Sequence, residues 1–277
     1  MQYLGLRELV TRALDEDLGY RDITSVNIIS PEQKAQGIFL AKSPGIVAGL
    51  EVCQEIFSYL DPGMEFQVFI PDGHEVKPGD QIARVGGQTL ALLEGERVAL
   101  NFLQRLSGIA TRTRTMADLI KDYKAQLLDT RKTTPGLRVI EKYAVRVGGG
   151  RNHRFGLFDG VMIKDNHIQV AGGISSAVAA VRQRVPHTIK IEVEAENLDQ
   201  VSEALQAGAD IILLDNMDVD TLCQAVKIIG NRALSEASGG IDEESIQAVA
   251  ATGVDYISVG ALTHSVKSLD ISFEVQI

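Results

Sequence analysis

The chain has 277 residues, 45% of them hydrophobic, enough for one large domain or two ordinary ones with a sizeable core. Its 37 acidic side chains against 27 Lys and Arg leave a net charge of -10, which argues against a nucleic-acid partner held by general phosphate attraction; any bound anion must meet a local basic pocket. No apolar run approaches the ~20 residues of a membrane span, so a soluble cytoplasmic protein is expected, and Cys53 and Cys223, lacking CxxC partners, read as small buried apolar residues.

The opening "MQYLGLRELVTRALDEDLG" reads as an amphipathic helix carrying acids, not as a charged leader before an apolar core. From about Ala35 to Val85, Pro-Gly and Asp-Gly punctuation between alternating apolar residues predicts a small antiparallel sheet, with His74 a solvated turn residue. Over 91–120 the spacing of Leu92, Leu93, Val98, Leu100, Leu103, Leu106 and Ile109 predicts a long helix, broken near Ser107-Gly108.

After it the texture becomes strand, then helix, repeatedly. The predicted strands are "AQLLDTRK", "GVMIKDNH", "TIKIEVEA", "DIILLDN", "ALSEASGG" and "DYISVGA", and helical stretches occupy 136–146, 173–184, 197–206, 218–229 and 242–251. Such alternation means parallel βαβ units, in either an open doubly wound sheet or a barrel. The residues at or just past each apolar run are Arg131 and Lys132, Lys164, Glu194, Asp215, Ser238 with Gly239, and Gly260. All lie at carboxyl ends, and a barrel brings every such end to one mouth, whereas an open sheet gathers its ligands mainly at one switch point. With six clear strands where a full barrel has eight, a truncated or open (β/α) barrel is expected. A dinucleotide fold is not supported, because "GGGRNH" has His153 where the last glycine belongs, and no P-loop occurs.

The mouth combines two chemistries. Arg131, Lys132, Arg138, His153, Arg154 and Lys164 come from two adjacent strand-helix connections, and like charge held together at strand ends calls for a small polyanionic ligand. Arg138, opening a helix, stays open between binding and solvation. Glu192 and Glu194 share a strand face, and Glu194 is expected one strand away from Asp215 at the same height; two carboxylates in a phosphate-binding pocket suit Mg²⁺. Ser238, Gly239, Gly240 and Gly260, following the last two strands, are the expected phosphate donors, and His264 either reaches a phosphate or caps a helix. With no GxSxG elbow, Cys/His pair or HExxH, the chemistry should depend on position and electrostatics rather than a nucleophile.

The segments "ALDEDLGYRDITS", "ERVALNFLQRLSGIAT", "LDTRKTTPGLR", "KYAVRVGGGRNHRFGLFDGVMIKDNHI", "EVEAENLDQ", "LLDNM", "EASGGI" and "SVGALTHS" resemble the quinolinate phosphoribosyltransferases, that is, the carboxylating nicotinate-nucleotide pyrophosphorylases, nearly end to end. The resemblance implies an α/β protein: a small mixed α/β N-terminal domain, taken as 1–106, to which 267–277 returns, and an open barrel of about six to seven strands over 107–266. It implies transfer of the phosphoribosyl group of phosphoribosyl pyrophosphate (PRPP) to quinolinate with release of pyrophosphate and CO₂, giving nicotinate mononucleotide for NAD biosynthesis. It further implies a homodimer, open to higher assembly, in which Arg97 of one subunit enters the other's site. By matching position, Arg131, His153, Arg154, Lys164 and the partner's Arg97 resemble the residues holding the two carboxylates of quinolinate. Lys132, Glu194, Asp215, Ser238, Gly239, Gly260 and His264 resemble those around PRPP and its Mg²⁺, with Lys132, Glu194 and Asp215 catalytic. "IILLDNMDVDT" lacks the second adjacent acid and the glycines of the common phosphoribosyltransferase loop, which places the chain with the barrel type, and Val98 stands where a small polar residue is frequent. The alternative is a transferase of the same family acting on another acidic ring, such as the molybdenum-associated homologues. A Schiff-base aldolase using Lys132, Lys164 or Lys190 would leave the carboxylate pair without a use. A non-catalytic binding protein has no support beyond the rule that fold alone never proves activity.

Overall fold

The computed structural model describes residues 5–277. The first half carries helices α1 (Leu6–Leu18) and α2 (Ser25–Ile28), strands β1 (Lys34–Ala41) and β2 (Gly45–Ile46), and helix α3 (Leu50–Leu60). Strands β3 (Glu65–Val68), β4 (Glu75–Val76) and β5 (Gln81–Gln88) follow, then the long helix α4 (Thr89–Leu119). Next come β6 (Gln126–Leu128), α5 (Arg138–Val147), β7 (Val161–Ile163), α6 (Asp165–Ala171), α7 (Ile174–Arg182) and β8 (Ile191–Ala195). The chain continues with α8 (Leu198–Gln206), β9 (Ile211–Asp215), α9 (Val219–Ile229), β10 (Leu234–Ser238), α10 (Ile246–Ala251), β11 (Tyr256–Ser258), α11 (Ala261–His264) and β12 (Ile271–Gln276). No helix among the described residues is long and apolar enough to cross a membrane.

Two compact units result. Unit 1 comprises the chain up to Arg114, Thr134–Gly149 and Ser265–Ile277; unit 2 comprises Thr115–Thr133 and Gly150–His264. In unit 1 an antiparallel sheet runs in the order β12-β1-β5-β3, with Phe39 opposite Phe273. Phe39, Phe57 and Phe273 pack with ring centroids 4.7 to 6.1 Å apart, an apolar nucleus under the sheet. Gly37 leaves room for it, since a Cβ there would lie 1.9 Å from the Phe273 ring. Cys53 is buried in α3, whereas Cys223 on α9 is only half-buried, and both are free thiols.

Helix α4 runs unbroken through Ser107-Gly108, contrary to the expected break. Gly108 serves close packing instead, because a Cβ would stand 2.3 Å from the Lys267 carbonyl oxygen. The sequence shows a glycine, but not whether its missing side chain frees the backbone or admits another strand of chain.

Segment 134–149, within the span assigned by sequence to the barrel, clusters with unit 1. Arg105 explains the attachment: its Nε and Nη2 donate to Glu141 Oε1 at 2.9 and 2.6 Å, and Nη2 also to Thr134 Oγ1 at 2.6 Å. Glu141 is fully buried. Arg105→Ala should therefore strand a buried carboxylate and lower unfolding free energy by about 3–5 kcal/mol, readable from urea midpoints at constant m-value.

Unit 2 is built on a parallel six-stranded sheet in the order β6-β11-β10-β9-β8-β7. The first strand lies beside the last, and the others descend in sequence, which is the order of a barrel cut between β6 and β7. An isolated parallel bridge, Leu128 to Arg151, occupies the place of the missing strand. The expected six to seven strands thus resolve as six strands and one bridge.

Candidate active site at the carboxyl ends of the barrel strands

Strand register sets the depth of each side chain. Asp215, Ser238, Ser258 and Leu128 form one rung at the mouth. Two residues deeper lie Glu194, Leu213, Glu236 and Tyr256, and two deeper again Met162, Glu192, Ile211 and Leu234. Glu194 pairs with Leu213 and so sits two residues below Asp215, which corrects the sequence expectation of equal height. Barrel strands are staggered, so equal distance from the end of an apolar run is not equal height.

The side chains converge on a cavity of about 390 Å³. Arg131, Lys132, His153, Arg154 and Lys164 line it with Glu194 and Asp215, and Ser238, Gly239, Gly240, Gly260 and His264 complete the wall. Arg131 and Lys132 are exposed at the rim, while Arg154, Glu194 and Asp215 are half-buried. Arg97 lies elsewhere, on α4 in unit 1, with 61% of its side chain exposed and Glu96 4.0 Å away. Arg138 is the first residue of α5, also in unit 1, and does not line the cavity.

Residues 22–107 match the family described as "Quinolinate phosphoribosyl transferase, N-terminal domain", and residues 109–274 match its "C-terminal domain". The chain belongs to the quinolinate phosphoribosyltransferase family. It is 50% identical over 275 residues to the "Probable nicotinate-nucleotide pyrophosphorylase [carboxylating]" of Bacillus subtilis (strain 168), covering 99% of this chain and 95% of that one. It is 47% identical to the protein of the same name from Synechocystis sp. over 95% of this chain and 90% of that one. Among solved structures, NadC from Streptococcus pyogenes superposes with a TM-score of 0.96 at 42% identity, covering 100% of this chain and 98% of the other. The nicotinate-nucleotide pyrophosphorylase from Francisella tularensis gives 0.94 at 41%, covering 98% and 96%.

Within this family member the cavity has two electrostatic sides. Partial burial, and then the neighbouring Arg131, hold the Arg154 guanidinium below its ordinary pKa, while Glu192 and Asp159 oppose them. An arginine disfavoured by burial and by a second arginine is poised for an anion that relieves it. In the same cavity Lys164 Nζ pairs with Glu194 Oε2, and Asp215 Oδ2 accepts from Asn216 Nδ2 at 2.7 Å.

Backbone shape at the late strands depends on glycine. Gly239 has φ +98°, and a Cβ there would lie 2.2 Å from Asn216 Oδ1. Asn216 itself, just past β9, is the one non-glycine residue of positive φ among the described residues, at 54°. A Cβ at Gly260 would come within 2.8 Å of Lys132 Cδ and 3.2 Å of His264, so this glycine lets both side chains reach the cavity.

Sequence reasoning missed three acids that support this site. Asp129, fully buried, accepts from the His153 backbone N–H at 2.8 Å and from Asn152 Nδ2 at 2.6 Å, and so fixes the loop carrying His153 and Arg154. Glu192, noted only as sharing a face with Glu194, and Glu236 are buried beside His153, whose Nε2 lies 3.2 Å from Glu192 Oε2 and 3.6 Å from Glu236 Oε1. The available signal was an acid in the middle of a strand otherwise buried on both faces, as in "ALSEAS".

Burial, followed by the negative charge of Glu192, pushes Glu236 from 4.5 up to about 8, with His153 and the Ser258 hydroxyl pulling the other way. A carboxyl raised in the folded state holds an extra proton there, so its favourable contribution is complete below about 4.3 and is lost as pH climbs through the folded value. Glu236→Gln, a neutral mimic, should therefore raise Tm at pH 9 by an amount corresponding to on the order of 2 kcal/mol, with little change at pH 5. Equal shifts at both pH values would show that no extra proton is held.

Proposed function

We propose that this cavity seats quinolinate against PRPP, and that the chain transfers the phosphoribosyl group to the pyridine nitrogen, yielding nicotinate mononucleotide, pyrophosphate and CO₂ for NAD biosynthesis. The supporting observation is that Arg131 and Arg154, close enough for Arg131 to disfavour the Arg154 charge, line one cavity with Glu194 and Asp215 in a chain of this family. The two guanidiniums, with Lys164, suit a planar dianion, because planar forks meet carboxylates through two parallel hydrogen bonds.

Sugar C1 gains positive charge as pyrophosphate departs, and carboxylates aimed into a confined site stabilise that charge without reorganising. Glu194 and Asp215 are placed for this, and Lys132 at the rim for the departing pyrophosphate. The backbone N–H groups of Gly239, Gly240 and Gly260, with the Ser238 hydroxyl, suit the 5-phosphate, and His264 adds a nearby donor. A C1–N bond forms, the C1–O bond to pyrophosphate breaks, and the ring nitrogen becomes cationic. The 2-carboxylate then leaves as CO₂, its electrons remaining at ring C2 beside that cation until a proton arrives. Orientation by the arginines supplies much of the rate, because quinolinate is a poor nucleophile free in water.

The donor set fits Mg²⁺: Glu194 and Asp215 offer oxygen only, from neighbouring strands, and this ion takes few protein ligands beside substrate phosphates. When bound, it would neutralise pyrophosphate charge. Pyrophosphate and CO₂ release from quinolinate plus PRPP, abolished by EDTA and restored by Mg²⁺, tests the reading; turnover of nicotinate but not quinolinate would transfer it to a relative acting on another ring. A cytoplasmic location accords with the two free thiols.

A homodimer sharing Arg97 completes the proposal. Unit 1 exposes Tyr20, Ile23 and Ile28, unit 2 exposes Leu157, Phe158 and Val170, and apolar surface on this scale suits contact between copies. If Arg97 acts in the partner's site, Arg97→Ala and Arg131→Ala, each inactive alone, should regain about one quarter of wild-type activity when refolded together, since half the dimers are mixed and each mixed dimer has one intact site. No recovery would place Arg97 outside a shared site.

A further inference from the structure

Below the substrate cavity lies a second one of about 630 Å³, lined by residues at the amino ends of the strands, among them Val161, Lys190, Leu234 and Tyr256. His153, Arg154 and Glu236 border both cavities; Glu192 borders only the lower one. Glu192 thus stands behind the upper cavity's wall, and its carboxylate lies 3.2 Å from His153 Nε2.

The imidazole is committed at both nitrogens. The Arg154 backbone N–H donates to His153 Nδ1 at 2.7 Å, so Nδ1 carries a lone pair and the ring's proton sits on Nε2, directed at Glu192 with Glu236 behind it. Among the described residues these three bring possible metal-ligand atoms within 4.8 Å of one another, but a protonated Nε2 is not a ligand. Continuous bonding thus runs from a buried acid, through the ring, to the backbone of an arginine whose Nη1 also donates to Gly160 O at 2.9 Å.

We propose that Glu192 is a positioning residue for the dianion site, acting through His153 to fix where Arg154 presents its guanidinium. The inference rests on the quinolinate reading above. A half-buried arginine in a loop binds a carboxylate tightly only if the loop is already fixed, because ordering it on binding subtracts from affinity. Asp129 fixes the loop by the His153 amide, and Glu192 fixes it by the ring.

The test compares Glu192→Met, of similar length without an acceptor, with Glu192→Gln, whose amide oxygen can still receive the Nε2 proton. The methionine variant should raise KM for quinolinate ~10-fold or more while kcat and the KM for PRPP stay within ~3-fold, and the glutamine variant should return near wild type. An unchanged KM for quinolinate in the methionine variant, or equal impairment in both, overturns the proposal. Because a variant can misfold, ¹⁵N NMR of His153 in the wild-type protein is read alongside. Nδ1 unprotonated and Nε2 protonated, with and without quinolinate, is the expected pattern; a doubly protonated ring in the complex overturns it. Should the wild-type protein not turn over quinolinate at all, the substrate reading fails, while the NMR result still judges the Glu192–His153–Arg154 connection.

Discussion

Arg131→Ala is expected to lower kcat/KM for quinolinate by ~10²–10³-fold, with Tm almost unchanged. Arg154 is disfavoured as a cation first by partial burial and then by the nearby charge of Arg131. Removing one relieves that repulsion, so stability should not suffer, but a dianion would then meet a single guanidinium. Arg131→Lys should recover only part of the loss, because an ammonium is a point charge and cannot form two parallel hydrogen bonds to a carboxylate. Calorimetric titration with quinolinate separates the cases. Wild-type affinity in the alanine variant would mean that the ring binds elsewhere.

Asp215→Ala should reduce kcat by ~10²–10³-fold and weaken use of PRPP, leaving quinolinate affinity within ~3-fold of wild type. Of the two acids lining the cavity, Glu194 already has a cation, Lys164, on its Oε2, whereas Asp215 faces the neutral Asn216 amide and stands two residues nearer the mouth. Its charge is therefore the less compensated, and losing it should be felt more as positive charge grows at the sugar. Asp215→Asn keeps the shape and a partner for Asn216, and an equal fall in kcat there would assign the effect to charge. A fall in quinolinate affinity with unchanged PRPP kinetics would reverse the two sides of the map.

The composition of the cavity was legible because its residues follow buried runs. A strand covered on both faces reads as an uninterrupted apolar word, and the first polar letters after it must lie at its carboxyl end, as Lys164 after "VMI" and Asp215 after "IILL" do. Convergence then follows from parallel winding, since barrel closure directs those ends to one mouth. Gly239 and Gly260 could be placed as glycines of late turns, though not their reasons: one accommodates Asn216, the other Lys132 and His264.

What sequence determined by itself was therefore one-dimensional: where strands and helices begin, which residues stand at strand ends, and that positive and negative groups gather there. Tertiary structure decided the rest. Height depends on the stagger between neighbouring strands, which lowered Glu194 beneath Asp215. The meeting of Glu192 on β8, Glu236 on β10 and His153 after the Arg151 bridge crosses the barrel interior. No local pattern encodes such a contact, because it exists only once the sheet curves far enough for strands that are not neighbours to face each other.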